Sequence, residues 1–213
     1  MLLYLARHAQ TASSAVDSFN GQRELPLTET GRAQAQKLGA RLKGIPWAAV
    51  YRSPLGRTKE TAELIAPGIE SVPLPGLIEI NYGGWEGLSA EQARALNPGR
   101  YKAWLADPST MAPAGGETAA QVEVRMRAAL DEIRARHEGA EAPVLAVSHK
   151  ATLRILGAAL TGAPISKYRS RWPQDECALN LIELRAGKEP FLRLWNDTSH
   201  LGPDPASSTR SGK

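Results

Sequence analysis

The amino-acid sequence predicts an α/β fold: a three-layer sandwich with a mostly parallel central sheet, helices on both faces and a small helical lid. Two observations carry that expectation. Short apolar runs alternate along the chain with segments of helical periodicity, the order in which a parallel sheet and its covering helices are built. Three of the apolar runs are followed at once by polar, cationic or imidazole side chains: Arg7-His8 after residues 2–6, Arg52-Ser53 after 47–51, and Ser148-His149 after 144–147. In open α/β sheets ligands bind outside the carboxyl ends of the strands, so the topology gathers these groups at one edge.

The elements follow in order. Residues 2–6 form a wholly apolar run of buried-strand length. Pro26 and Thr28 open a helix whose inward positions, Gly31, Ala35, Leu38 and Leu42, recur at helical spacing. Residues 47–51 are a second strand. Residues 54–66 are helical, with Leu55, Thr58, Ala62 and Ile65 on one face, and Pro67-Gly68 stops them. Ser89 with Gln92 makes a capping box for a short helix ending at Asn97-Pro98-Gly99; one or two small helices over 89–106 and a Pro/Gly-rich loop over 107–116 make a modest lid, residues 80–116. Thr118 with Gln121 is a second capping box. It starts the longest helix, striped by Val122, Met126, Ala129, Leu130 and Ile133. A strand at 144–147, a helix at 150–160 and two strands at 177–184 and 191–195, joined by a turn at Ala186-Gly187-Lys188, complete one domain over 1–201. Residues 202–213 have no apolar anchor and read as a flexible tail.

The chain has 213 residues, 42% of them hydrophobic, enough for one core of ordinary size. Basic residues exceed acidic ones by 26 to 22, but the two signs interleave and no basic arm exists. Nucleic acid is therefore not the expected partner; a small anion held by a few converging arginines is. No stretch is long and apolar enough for a membrane span. The absence of an export signal and the single cysteine, Cys177, point to the cytoplasm. Cys177 opens an apolar strand without an activating neighbour and reads as a packing residue.

The four histidines are His8, His137, His149 and His200. His137 lies between Arg136 and Glu138 and reads as solvated. Arginines beside His8 would repel a divalent cation, so neither a metal nor another cofactor is expected. Guanidinium forks suit phosphate oxygens, and the start of the helix after His149 adds N–H donors. A phosphoryl group can then be transferred without a metal, with Ser53, Ser148, Cys177 and His8 as candidate nucleophiles. A neutral imidazole is competent near pH 7, and neighbouring arginines help keep His8 unprotonated.

The run Leu3-Tyr4-Leu5-Ala6-Arg7-His8-Ala9-Gln10-Thr11 resembles the signature of the histidine phosphatase superfamily, which includes the cofactor-dependent phosphoglycerate mutases. Further similar segments follow in order: residues 26–35, Ser53-Pro54-Leu55-Gly56-Arg57-Thr58, Leu77-Ile78-Glu79-Ile80 with Gly83, Gly84, Trp85, Glu86 and Gly87, then Gly115-Gly116-Glu117, Val147-Ser148-His149 and residues 196–201. The resemblance implies a phosphohistidine on His8, phosphoryl oxygens held by Arg7, Arg57 and His149, and Glu79 as proton donor and then base. It also implies substrate contacts at Arg7, Ser14, Gly21, Gln22, Arg57, Glu79, Tyr82, His149 and Lys150. Apolar neighbours Leu77, Ile78, Ile80 and Tyr82 would help Glu79 keep its proton, while Glu86 is expected to contact backbone. The chain departs from the family pattern at Ala9 and Lys150, where glycine is frequent, at Ser14, where asparagine is, and at Glu24, where aspartate is. Arg52 stands evenly between phosphate ligand and scaffold. Among the lid aromatics Tyr82, Trp85, Tyr101 and Trp104, Trp104 reads as core, and Lys167 to Pro173, with Arg169, Arg171 and Trp172, as a solvated connector. The expected activity is metal-independent phosphomonoester hydrolysis on a small phosphorylated metabolite. Phosphoglycerate-mutase-type transfer and a non-catalytic phospho-ligand-binding module are the alternatives, and the resemblance allows a homodimer.

Overall fold

Strict alternation along two strands sets the layers. In β1 (Leu2–Arg7), Leu3 and Leu5 face one core and Ala6 the other; in β4 (Val144–Ser148), Val144 and Ala146 share the first core and Leu145 and Val147 the second. A strand that is apolar on both sides needs cover on both faces. The computed structural model describes residues 1–12, 18–185 and 187–202. The remaining elements are α1 (Glu29–Arg41), β2 (Ala49–Arg52), α2 (Gly56–Ile65), β3 (Ser71–Pro73), α3 (Ala90–Leu96), α4 (Pro98–Ala106), α5 (Ala119–Arg136), α6 (Lys150–Leu160), α7 (Tyr168–Arg171), β5 (Leu179–Glu183) and β6 (Phe191–Asp197).

The six strands form one sheet in the order β3-β2-β4-β1-β5-β6. The pairs β2–β3, β2–β4 and β1–β4 are parallel, and β5 runs against both β1 and β6. Leu38, Ala62 and Ile65 of α1 and α2 close one core, and Val122, Met126, Leu153 and Leu156 of α5 and α6 close the other. The mostly parallel three-layer arrangement is therefore the one the sequence predicts. Both capping boxes form, at Ser89 and at Thr118. Thr28 caps α1 through its side-chain oxygen, which accepts from Gly31 N at 3.0 Å. Among the described residues no helix is long and apolar enough to cross a membrane.

Three local expectations need correction. β3 goes unannounced in the sequence, because three residues with Val72 exposed carry no periodicity. The helix opened by Ser89 does end at Asn97, as expected, and the same residue starts the next one: Asn97 Oδ1 accepts from Arg100 N at 3.0 Å and so caps α4, with Pro98 in its first turn, where a missing N–H costs nothing. Cys177 precedes β5 in a turn with φ +56° instead of opening the strand; its burial is complete, as expected. His137 is not simply solvated: it caps the end of α5, and its Nε2 lies 3.0 Å from the Tyr51 hydroxyl. In residues 80–116, Trp85, Tyr101 and Trp104 pack with Phe19 into a small aromatic core of their own, which agrees with the reading of Trp104. The expected tail lies outside the described residues from position 203 onward, as does Ala186 of the β5–β6 turn.

Candidate active site

Register aligns the strand ends. Arg7 stands opposite Ser148, and Arg52 opposite Val147. The ladder runs one step past the strands, with His8 N donating to Ser148 O at 2.9 Å and Ser53 N to Val147 O at 3.0 Å. His8, Ser53 and His149 therefore leave the sheet at one level, and the two imidazole rings stand 5.1 Å apart. Arg57, in the first turn of α2, spans the group: its Nε donates to His149 Nδ1 at 3.2 Å, Nη1 to Arg23 O at 2.7 Å and Nη2 to Gly21 O at 2.8 Å. Arg7 Nη1 donates to Gln174 O at 2.8 Å, and Nη2 lies 3.9 Å from Glu176. Arg7 Nε is enclosed without a partner. Arg7, His8, Arg57, Glu79 and His149 are all buried. A buried cation whose donors are unfilled is costly, and an anion seated against it relieves that cost.

The hydrogen bonds fix which nitrogen carries each proton. His8 Nδ1 is 2.7 Å from Ala9 O; a carbonyl only accepts, so Nδ1 bears the hydrogen and Nε2 keeps its lone pair. Arg57 Nε only donates, so His149 Nδ1 accepts and Nε2–H donates to Ser53 Oγ at 2.7 Å. Burial, then the positive charge of Arg57, then in His8 that of Arg7, holds both imidazoles well below their ordinary pKa. Both rings are neutral at pH 7. Cys177, by contrast, is pushed up to about 12 by burial, which takes it out of contention as a nucleophile.

Glu79 does not sit among apolar side chains as expected. Its Oε1 accepts from Ile80 N at 2.9 Å, Thr152 N at 3.0 Å and Thr152 Oγ1 at 2.9 Å, and its Oε2 from Ala151 N at 3.2 Å. It thus occupies the N-terminus of α6. His149, at the capping position there, makes no side-chain cap because its ring is turned toward Arg57 and Ser53. The carboxylate supplies the missing acceptor, a favourable place for negative charge.

A family model of the histidine phosphatase superfamily (branch 1) matches residues 3–198. This chain belongs to the histidine phosphatase superfamily. Among its relatives, phosphoserine phosphatase 1 of Hydrogenobacter thermophilus is 33% identical over 202 residues, 94% of each chain. The metal-independent phosphoserine phosphatase of Arabidopsis thaliana is 32% identical, covering 93% of this chain and 82% of that one. Among solved structures, YhfR of Bacillus stearothermophilus superposes with a TM-score of 0.85 at 33% identity, covering 94% of this chain and 98% of that one.

The superfamily's expected positions fall as follows. Ser14 lies outside the described residues. Lys150 is the exposed first residue of α6. Gly21 and Gln22 hold the site from behind: Gly21 O receives Arg57, and Gln22 Nε2 donates to Glu79 O at 2.9 Å. Gly21 has φ +49°, and a Cβ there would stand 2.0 Å from Glu86 Oε1. Glu86 Oε1 accepts from Gln22 N at 2.9 Å and Tyr82 N at 3.2 Å, the backbone contact expected of it. Tyr82 is half-buried against Phe19, ring centroids 4.9 Å apart. Arg52 bonds Ser71 Oγ and the carbonyls of Ser53 and Pro54, which makes it scaffold. Ala9 has no positive φ, so the frequent glycine is not required there. Glu24 caps α2, with Oε2 accepting from Gly56 N at 3.0 Å.

Sequence reasoning missed Thr152 and Gln174. Thr152, three residues after His149, was readable as a hydroxyl in the first turn of a helix; nothing local announces Gln174, because its carbonyl meets Arg7 across 167 positions. Among the described residues no group of three His, Cys, Asp or Glu side chains is placed to hold a metal ion.

Proposed function

We propose that the protein hydrolyses a small phosphorylated metabolite through a phosphohistidine on His8, without a metal. The observation that carries this reading is the His8 tautomer: Nδ1–H rests on the Ala9 carbonyl, leaving the Nε2 lone pair among buried guanidinium groups. Nε2 attacks phosphorus, the P–N bond forms and the ester P–O bond breaks. Arg7, Arg57 and His149 hold the phosphoryl oxygens and meet the charge that grows on them, the task a metal ion performs elsewhere. Glu79 gives its proton to the leaving oxygen. The resulting carboxylate then takes a proton from water; the water oxygen attacks phosphorus, the P–N bond breaks, and phosphate leaves with His8 neutral again.

Gly21 and Gln22 act in this scheme by positioning Arg57 and Glu79, while Ser14, Tyr82 and Lys150 remain candidate contacts to the substrate. The names of two relatives make phosphoserine the first ester to try. A mutase would return the phosphoryl group to a bound intermediate and exclude water. A cover of two short helices, α3 and α4, favours hydrolysis, so we propose residues 80–116 as a modest lid on one domain.

The test is a panel of phosphorylated metabolites in excess chelator, with 3-phosphoglycerate followed for both isomerisation and phosphate release. Turnover is expected in chelator, with an acid-labile adduct on His8 after a brief pulse of labelled ester and loss of activity in His8→Ala. Near-normal rates in that variant, or dependence on added divalent metal, would overturn the mechanism. Binding without turnover would favour a non-catalytic module. Light scattering of the purified chain reads the homodimer expectation directly.

A further inference from the structure

Residues 196–201 resemble the family pattern, yet the phosphohistidine chemistry uses none of their side chains. Their reach into the site runs through the turn before β5. Residues 174–178 cradle the end of β1: Arg7 N donates to Ala178 O at 3.1 Å, Arg7 Nη1 to Gln174 O at 2.8 Å, and Cys177 N to His8 O at 3.3 Å. Glu176 stands 3.9 Å from Arg7 Nη2. The place of the Arg7 guanidinium is therefore set by the place of this turn.

The turn is held by β6. Leu179 pairs with Asp197 and Leu181 with Leu194, so three steps along β6 face two along β5. Such a bulge re-aims a side chain. The residue it re-aims is Asn196, at φ +55°. Its N donates to Asn180 Oδ1 at 2.8 Å, and the fully buried Asn180 donates from Nδ2 to Leu5 O at 2.9 Å. Asn196 Oδ1 accepts from Asp175 N at 2.6 Å, and its Nδ2 donates to Asp175 Oδ2 at 2.8 Å. The neighbouring Trp195 Nε1 donates to Pro173 O at 2.9 Å. Pro173 and Asp175 flank Gln174, whose carbonyl receives Arg7, so β6 grips the turn on both sides of that contact. Among the described residues only Cys177 and Asn196 hold a positive φ without being glycine, and both lie in this junction. Backbone strain of that kind persists where the surroundings over-determine it, and it clusters at active sites.

We propose that Asn196 is a positioning residue: it latches the 174–178 turn to β6 and through that turn holds Arg7 where it meets the phosphoryl group. The inference rests on the hydrolase reading above and adds a residue that acts without touching substrate. Fixing the Gln174 carbonyl before substrate arrives leaves Arg7 little freedom, and misplacing a group of that kind by about an ångström is costly.

An exchange of partners tests it. Asn196→Asp sets two carboxylates against each other. The kcat/KM for p-nitrophenyl phosphate is expected to fall at least about tenfold, with kcat falling alongside it because Arg7 counts most in the transition state. Adding Asp175→Asn places a donor opposite an acceptor again, returns the net charge of the wild type and should recover most of the loss. Asn196→Gly removes both side-chain bonds, suits the positive φ and adds no charge, so a similar fall there excludes simple repulsion of the anion. In an Arg7→Lys background Asn196→Gly should cost nothing further. Arg193→Gln breaks an ion pair between the same two strands and should leave kcat/KM as it is. Orthovanadate affinity, read by calorimetry, should follow the same order. An unaltered kcat/KM in Asn196→Gly, no recovery in the exchange, an effect additive with Arg7→Lys, or an equal effect of Arg193→Gln would overturn the latch, since a purely structural residue moves the urea midpoint alone. If Asn196→Asp does not fold, Asn196→Gly and its combination with Arg7→Lys decide. If the wild type turns over no ester, the hydrolase reading falls, and orthovanadate affinity decides the latch by itself.

Discussion

His8 and His149 are neutral because burial and two guanidinium groups oppose their protonation. The direction has two consequences. An ordinary imidazole loses its lone pair as pH falls below about 6.5, whereas His8 keeps it. The acid limb of kcat/KM, corrected for titration of the ester, is therefore expected well below pH 6.5; a limb at the ordinary histidine value would contradict the buried neutral ring. The same shift links to stability. With the folded pKa below the unfolded one, the unfolded chain takes up protons first as the solution is acidified. The stability contribution is complete above about pH 6.5 and is lost from there downward, by up to about 1.4 kcal/mol per pH unit for each ring. Urea midpoints measured from pH 8 to pH 5 should fall across the lower part of that range and stay flat above it.

Helix α6 joins structure to chemistry through its first turn. The Thr152 hydroxyl lies 2.8 Å from Ile78 O and 2.9 Å from Glu79 Oε1, with one hydrogen to share between two acceptors. Thr152→Val keeps the shape and removes that hydrogen. A loss of about 1–3 kcal/mol in unfolding free energy is expected, since a buried acceptor is left unmet. The fall in kcat should be steepest for esters with poor leaving groups, which most need the proton of Glu79; an equal fall across leaving groups would mean that Thr152 serves the fold alone. Helix α1 acts on the site by close approach. A Cβ at Gly31 would stand 2.2 Å from Gln10 O, two residues past His8. Gly31→Ala should improve helix propensity yet destabilise the protein by roughly 1–3 kcal/mol through overpacking against backbone. Thermal unfolding would read this, and a more stable variant would show that the His8 loop yields freely.

The whole molecule concentrates positive charge where its strands end. Three guanidinium nitrogens of Arg7 and Arg57 donate to backbone carbonyls and Arg57 Nε to His149, and among the described residues only Arg7 Nη2, 3.9 Å from Glu176, comes within ion-pair distance of a carboxylate. A tetrahedral or trigonal-bipyramidal oxyanion should therefore bind the folded state alone. At a hundred times its dissociation constant, orthovanadate is expected to add about 2.7 kcal/mol, which raises the melting temperature by roughly 5–10 °C for a chain of this size. The increase should persist in excess chelator. Absence of a shift at saturating inhibition would argue that the ion binds elsewhere.

Much of this was legible in one dimension. The apolar runs, the caps at Thr28, Ser89 and Thr118, and the order in which Arg7-His8, Ser53, Arg57 and Ser148-His149 follow their strands are local signals with fixed periods, and parallel register converts them into one site. Three-residue β3 was too short to have a period. The setting of Glu79 was misread because its partners, the first amides of α6, lie more than seventy positions away. Residues 167–173 read as a solvated connector, and Lys167, Arg169, Ser170, Arg171 and Pro173 are exposed; the burial of Tyr168 and the seating of Arg169 over Trp104 were not legible, because Trp104 lies far away along the chain. Sequence alone determined the architecture, the cationic edge and the chemical type of the groups on it, since side-chain identity and periodicity are written residue by residue. Only the tertiary structure decided which nitrogen of each imidazole is free, what holds Glu79 and which arginines lack a counter-charge. Hydrogen-bond partners and burial depend on distances between segments far apart along the chain, and folding alone sets those distances.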